Sequence, residues 1–510
     1  AYFIVIQTGD TYRLNQYMSI SHERLAQIKA DIFQDIDGFL GKILETSTGD
    51  LLLLFVVPFP SNEDVAKGDR LTPVIVLDSA VSKGVLTSAT TKRAGIITNT
   101  DLAAHVLSYF GITKPSVMTG HPLSSKSVRE PLEYLRDINK ISVFNYNARA
   151  TVVKSYIAFI ILVLLLTFIL LEYFKEYVAW MKPLLIAVLL VPTVLLILPV
   201  TAPWDTIRFA ASLISTVTIF SLSVFYLFKD NLKIFVSTCL LSAGLILADT
   251  FLDNPLMRLS ILGYDPIIGA RFYGIGNEYM GFLLGTTIVG TTALIDCYRD
   301  KAGLLKKLSV GIYAVVLVTL MSPSLGTNVG GTMAAFFGFG AATLLLVKGR
   351  IGRKDLIGLC CLLVVLLIAL FIYDGLQPSE AQSHIGQTSG LIRQNSLLAL
   401  FQIFARKLST NYKLMKYSTW TLVLIATIVT QAILFRRPVG ILKRIFSKHN
   451  YLYFGFISGI IGTTAAFIFN DSGVVAAAMS MIPITIPLTL MCIDEALKAG
   501  QSSKKDIKWR

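Results

Sequence analysis

The stretch "VVKSYIAFIILVLLLTFILLEYF", Val152–Phe174, divides the chain into two kinds of sequence. From Ser155 to Leu171 it carries no charge, close to the roughly 20 apolar residues that a membrane-spanning helix needs. Before it, charged residues are frequent and no run is long enough to span. After it, apolar runs of that length recur to the end. The whole chain, 510 residues, is 54% hydrophobic and only 15% charged, with mean hydropathy +0.65. Soluble domains carry about 25% charged residues. We expect an α/β extracytoplasmic domain over 1–150, an all-α polytopic membrane domain over 151–497, and a basic cytoplasmic tail over 498–510.

Eleven candidate spans follow from the apolar runs: 153–171, 184–200, 208–228, 234–250, 277–297, 308–321, 330–348, 356–373, 417–435, 452–470 and 473–493. With the 172–183 loop inside and strict alternation, the inner loops and tail hold about 22 Lys/Arg against about 8 outside, a bias that sets orientation. "YRDKAGLLKK", "KGRIGRKD", "RRPVGILKR" and "SSKKDIKWR" all fall inside. Residues 1–150 are then outside and the C-terminus is cytoplasmic. An outside domain needs a signal or an upstream span to cross, so the natural protein is expected to extend upstream. The net charge of +14 is explained by these loops, and no nucleic-acid partner is expected. Cys239, Cys297, Cys360, Cys361 and Cys492 lie in or beside apolar runs, in no pairing pattern, and read as apolar filler.

In the first 150 residues, "YFIVIQT", "LLLLFVV" and "PVIVLD" are short apolar runs ended by turn residues, as in strands buried on both faces of a parallel sheet. Between the first two, Leu25, Ile28, Ile32, Ile36, Phe39 and Ile43 recur at helical spacing. A second helix, "TDLAAHVLSYFG", has a Thr or Asp cap and ends at Gly111. The pattern reads as a layered α/β domain.

"IVIQTGDTYRLNQY", "LLLLFVVPFPS", "LTPVIVLDS" and "GIITNTDLAAHVLSYFGI" resemble the C-terminal half of an alkaline-phosphatase-superfamily domain, with Asp101, Leu102, Ala103 and Leu107 matching its closing segment. The whole chain resembles a family of bacterial multi-pass membrane proteins in which such a domain is fused to many spans. The resemblance implies a doubly wound α/β core, a bacterial plasma membrane and, in the superfamily, two metal ions, typically zinc. The ligand motifs depart from that pattern. Asp10 is the only retained ligand-like position. Arg13 and Leu14 stand where a histidine is expected, and Pro58–Phe59–Pro60 replaces the next metal motif. Zinc needs several nitrogen, sulfur or carboxylate ligands. No metal or other cofactor is therefore expected, and the domain reads as a pseudoenzyme. His105 and His121 read as structural, and Arg13, Arg70, Lys92 and Arg93 as candidate cations for a phosphate or glycan, with "TSATTKRAG" the most suggestive loop.

Three polar loops fall on one side of the membrane in this orientation. They are "GARFYGIGNEYMG" (Gly269–Gly281), "SPSLGTNVGGT" (322–332) and "FNDSGVV" (469–475). Non-helical backbone at membrane depth needs protein or water to cover its polar groups. These loops are expected to form one substrate-binding cavity lined by Arg271, Tyr273, Asn277, Glu278, Asn328, Asn470 and Asp471, with Arg271 facing Glu278, Asp471 or an anionic headgroup. Glu278 and Asp471 are the candidate catalytic carboxylates if the protein is an enzyme. Asp249 and Asp253 are runners-up as the acidic partner. Asp494 and Glu495 read as a solvated helix end near Lys498. Residues 396–417, with Arg406, Lys407, Lys413 and Lys416 among apolar residues, read either as an interfacial helix or as one packed on the bundle. The expected function is transport or flipping of a phosphorylated or lipid-linked cell-envelope intermediate at the outer face, with membrane lipids as partners. The alternatives are a membrane-embedded transferase, or a non-catalytic scaffold for cell-envelope enzymes.

Overall fold

The computed structural model describes residues 2–16, 21–47, 49–79, 81–115, 118–201, 204–375, 405–436 and 441–507. The protein is mostly helical and divides into two compact units. The first comprises Ala1–Asn147 and Asp265–Phe272, and the second Ala148–Tyr264 and Tyr273–Arg510. The boundary at 147/148 falls inside one helix, α5 (Pro131–Tyr173).

In the first unit, α1 is Asp10–Asn15, α2 His22–Thr46, α3 Asn62–Lys67 and α4 Asn99–Tyr109. The Ser21 hydroxyl caps α2 by accepting from Arg24 N–H. Thr98 and Asp101 form a reciprocal capping box on α4, and Gly111, at φ +66°, turns the chain out of that helix. α2 lies where apolar periodicity places it, and α4 is capped at Thr98 rather than at the expected Thr100 or Asp101.

The strands correct the sequence reading. Residues 2–8 form no strand and are exposed. The other two apolar runs do form strands, β1 (Leu53–Val56) and β2 (Val74–Leu77), but they pair antiparallel, with Leu53 opposite Leu77. Ile75 is 63% exposed and Leu77 48%, so β2 is not buried on both faces. A second antiparallel pair joins β3 (Val85–Ser88) to β4 (Leu123–Lys126). Among the described residues there is no parallel or doubly wound sheet, and the α/β domain is not supported. The reason is physical: a continuous apolar run reports how greasy a strand is, whereas pairing direction depends on which strand the tertiary fold brings alongside.

The second unit is a helical bundle. After α5 come α6 (Met181–Ile197), α7 (Thr206–Leu227), α8 (Asn231–Phe251), α9 (Asn277–Cys297), α10 (Ala302–Met321), α11 (Val329–Lys348) and α12 (Arg353–Gly375). Then follow α13 (Ala405–Tyr417), α14 (Trp420–Arg436), α15 (Ile441–Lys448), α16 (Asn450–Phe469) and α17 (Gly473–Ile507). Nine helices among the described residues are long and apolar enough to cross a membrane, or ten if the bent pair α13–α14 counts as one. Eleven were expected. The expected ninth span instead starts after an 84° bend between Ala405–Tyr417 and Trp420–Leu434, which leaves its straight apolar part short. The expected eighth falls on α12, which is a helix but is not among those nine. Residues 396–404 of the amphipathic segment lie outside the described residues, as do 508–510 of the tail. The rest of the tail, to Ile507, continues α17.

α17 is the axis of the bundle: its apolar window is fully buried inside the protein, against 11% for α7 at the periphery. Without a hydrophobic drive between helices in lipid, close approach depends on small residues and interhelical hydrogen bonds. Both are present. A Cβ on Gly281 or Gly285 of α9 would run into the α17 backbone at Ala476 or Ser480. Gly338 and Gly462 bring α11 and α16 together, with a Cβ on either only 3.1 Å from the other's Cα. Buried hydroxyls bridge helices at Thr193–Ser242 (2.6 Å) and Thr463–Ser480 (2.7 Å), and Ser260 in the loop after α8 bonds to Tyr279 of α9 (2.7 Å). We expect Gly462→Val to cost about 1–3 kcal/mol by overpacking, read as reduced unfolding resistance in detergent. Gly311→Ala, where a Cβ meets nothing, is expected to be neutral or to stabilise by up to about 1 kcal/mol.

Candidate functional site

The segments 273–276, 322–328 and 470–473 meet in the second unit. Ile275 N–H donates to Gly326 O (2.8 Å). The Asn328 amide does the most. Its Nδ2 donates to Ile275 O (2.9 Å) and to Asn277 Oδ1 (3.2 Å), while its Oδ1 accepts from Gly331 N–H (2.7 Å) as the cap of α11. Gly274 (φ +76°) has room only for hydrogen, since a Cβ would lie 2.5 Å from Gly326 O. Gly330 packs against Asn470, where a Cβ would come within 2.7 Å of the amide carbon. The first turns of α9, α11 and α17 therefore converge, and the first of these has no side-chain cap.

Asn411 on α13 closes the turn into α17. It is buried, donates from Nδ2 to Phe467 O (3.0 Å) and Asn470 O (2.9 Å), and accepts from Gly473 N–H (2.8 Å). This packs α13 on the bundle, the second of the two sequence readings for that segment. Asn470 itself is 4% exposed, and its Nδ2 has no hydrogen-bond partner among the described residues. Such a group costs about 1–3 kcal/mol when left unmet.

The charges are partnered in a way the sequence did not suggest. Glu278 Oε1 accepts from Arg149 Nη2 at 2.8 Å, with both side chains mostly buried. Asp471, 75% exposed, pairs with Lys407 at 3.2 Å, and Lys407 also donates to Phe469 O. Asn277, Asn328 and Asn470 are brought together with the start of α9. Tyr273 is half-buried just before it. Arg271 belongs to the first unit, where it bridges through its backbone to Asp265. Arg149 and Asn411 were missed. Arg149 carries a signal, a cation directly before the first apolar run, whereas Asn411 sits unmarked on an amphipathic face. Of the runners-up, Asp249 accepts from Leu256 and Met257 N–H groups and so holds the turn after α8, and Asp253 pairs with Arg258.

In the first unit, Asp10 pairs with Arg13 at 2.6 Å. His105 Nδ1 accepts from Leu123 N–H (3.3 Å), and its Nε2 lies 3.3 Å from Asp78 Oδ2, an electrostatic contact rather than an aligned hydrogen bond. Burial lowers the His105 pKa and Asp78 partly opposes this. The suggestive loop 87–95 is tied down through Asp101, which is fully buried and accepts from Ser88 Oγ, Thr90 Oγ1, Thr98 N–H and Oγ1, and His121 N–H. Arg93 is buried beside it, and Lys92 takes a left-handed turn at φ +50°. No protein-family model, curated protein or solved structure matches the chain.

Two expectations follow. Burial alone would raise the Asp101 pKa, but its hydrogen bonds from Thr90, His121, Thr98 and Ser88 outweigh that and hold it below the usual value. Its contribution is thus complete above the unfolded pKa near 4 and is lost as pH falls through the lower folded value. Asp101→Asn should cost about 3 kcal/mol or more by stranding buried donors, and should flatten the acid limb of the stability profile of this unit followed by hydrogen exchange. For the ion pair, Arg149→Met should destabilise by about 1–3 kcal/mol by leaving Glu278 unmatched. The double change Arg149→Met, Glu278→Leu should recover at least half of that in thermal unfolding.

Proposed function

We infer that the protein handles a phosphorylated or lipid-linked cell-envelope intermediate at the outer face of the bacterial plasma membrane, by transport or flipping. The observation that carries this reading is the buried, unpartnered Asn470 Nδ2 beside three converging helix N-termini. Each N-terminus presents partial positive charge, and α9, unlike α11, has no side-chain cap. Arg149 and Lys407 stand at the same end, each balanced by a carboxylate, so the positive field there comes from the helix ends. Such a field favours an anionic headgroup over a cationic one, and the asparagine amides add donors that can follow phosphate or sugar oxygens. Helix N-termini turned toward an anionic substrate group are a recurrent device in transporters.

In this reading the first unit is extracytoplasmic, the C-terminus cytoplasmic, and the phosphatase-like segments serve docking of cell-envelope enzymes or headgroups rather than two-metal hydrolysis. A transferase using Glu278 or Asp471 as base is less favoured, because both carboxylates are matched by cations.

The test is translocation in proteoliposomes carrying fluorescent polyprenyl-phosphate or phosphatidylglycerol analogues. Wild-type protein should move at least one of them across the bilayer. Asn470→Leu and Arg149→Gln should each slow it about tenfold or more while the protein remains folded. Absence of translocation of either analogue by wild type, or unchanged rates in both variants, overturns the proposal.

A further inference from the structure

At the other end of α9 and α17, the second unit contains a cavity of about 520 Å³. It lies where α6, α8 and α16 begin. Three carboxylates line it, Asp230, Asp494 and Glu495, and each is engaged by the protein. Asp494 pairs with Lys182 and accepts from Asn231 Nδ2 (2.8 Å). Glu495 is held by Lys498 (3.6 Å) and Arg444 (3.8 Å). Asp230 caps α8 by accepting from Leu232 N–H (3.0 Å). Asp494 is thus part of a knot between three helices and not a solvated helix end.

The remaining polar lining is of opposite character. Lys229 and Lys448 face the cavity and make no ion pair among the described residues. His449 lies beside Lys448, and its Nδ1 atom is buried without a hydrogen-bond partner among the described residues. Two ammonium groups and the His449 ring thus share the lining with Asp494 and Glu495, which are paired with cations, and with Asp230, which caps α8. The cavity is within the ordinary size of ligand sites, about 300–1,000 Å³.

We propose that this cavity binds a phosphate-bearing anion through Lys229, Lys448 and His449. The lysines act as point charges on the phosphate oxygens. The imidazole Nδ1, when it carries the ring proton, donates a single directed bond. A carboxylate is planar with two oxygens, unlike the tetrahedral phosphate group, and is not the ligand argued for. The site is separate from the Asn470 junction and does not rest on the transport reading. An anionic phospholipid headgroup and a free phosphate share this chemistry.

The experiment uses the full chain in detergent, with short-chain phosphatidylglycerol followed by native mass spectrometry and inorganic phosphate followed by calorimetry. The test variant is Lys229→Gln with Lys448→Gln. The control, Lys301→Gln with Lys307→Gln, removes the same charge from exposed positions near the same end. Wild type should bind at least one probe. The test variant should bind it tenfold or more weakly, and the control within about twofold of wild type. Binding of phosphatidylglycerol alone identifies a lipid site, and binding of phosphate, or its competition with the lipid, identifies a free-anion site. Failure of wild type to bind either probe, or equal weakening in both variants, overturns the proposal. If the double variant does not fold, Lys229→Gln and Lys448→Gln are read singly against the same criteria.

Discussion

A backbone that stops being helical inside an apolar bundle must find its hydrogen bonds from protein, since lipid supplies none. The Asn328 amide meets that constraint for the second unit. One side chain caps α11, holds Ile275 O and reaches Asn277, so the entrances to α9 and α11 share a single set of bonds. Asn411 does the same for the turn from α16 into α17. Because α9 and α17 are also pressed together through Gly281 and Gly285, both junctions locate the two most buried helices.

This arrangement separates positioning from electrostatics. Asparagines and glycines set the geometry, while the full charges stand around it in pairs, Arg149 with Glu278 and Lys407 with Asp471. The pattern repeats at the far end, where Asp296 accepts from Leu452 N–H (2.7 Å) and pairs with Arg299, and Asp494 joins Lys182 to Asn231. The far end is therefore tied by carboxylates that bond to more than one element. Buried carboxylates need such multiple partners to offset their desolvation.

The sequence was informative where a local rule applies. Apolar run length located the helices of the second unit, and the Gly/Asn composition of three loops identified segments that do come together. Gly111 marked the end of α4 through capping chemistry that acts within a few residues, while its start lies at Thr98 rather than at the expected Thr100 or Asp101. Partner choice was not legible. Nothing local distinguishes Arg149 from Arg271 as the cation for Glu278, because pairing depends on which helix end the bundle brings within a few ångströms. The same holds for Asn411, whose burial against 467–473 comes from the sharp bend between α13 and α14.

The first unit draws the line most plainly. Periodicity marked α2 as a helix, cap and stop residues marked α4, and continuous apolar runs marked 53–56 and 74–77 as strands, because each of these signals is a property of consecutive residues. Only the tertiary structure decided that those strands pair antiparallel and that residues 2–8 pair with nothing among the described residues, because a strand's partner comes from elsewhere in the chain.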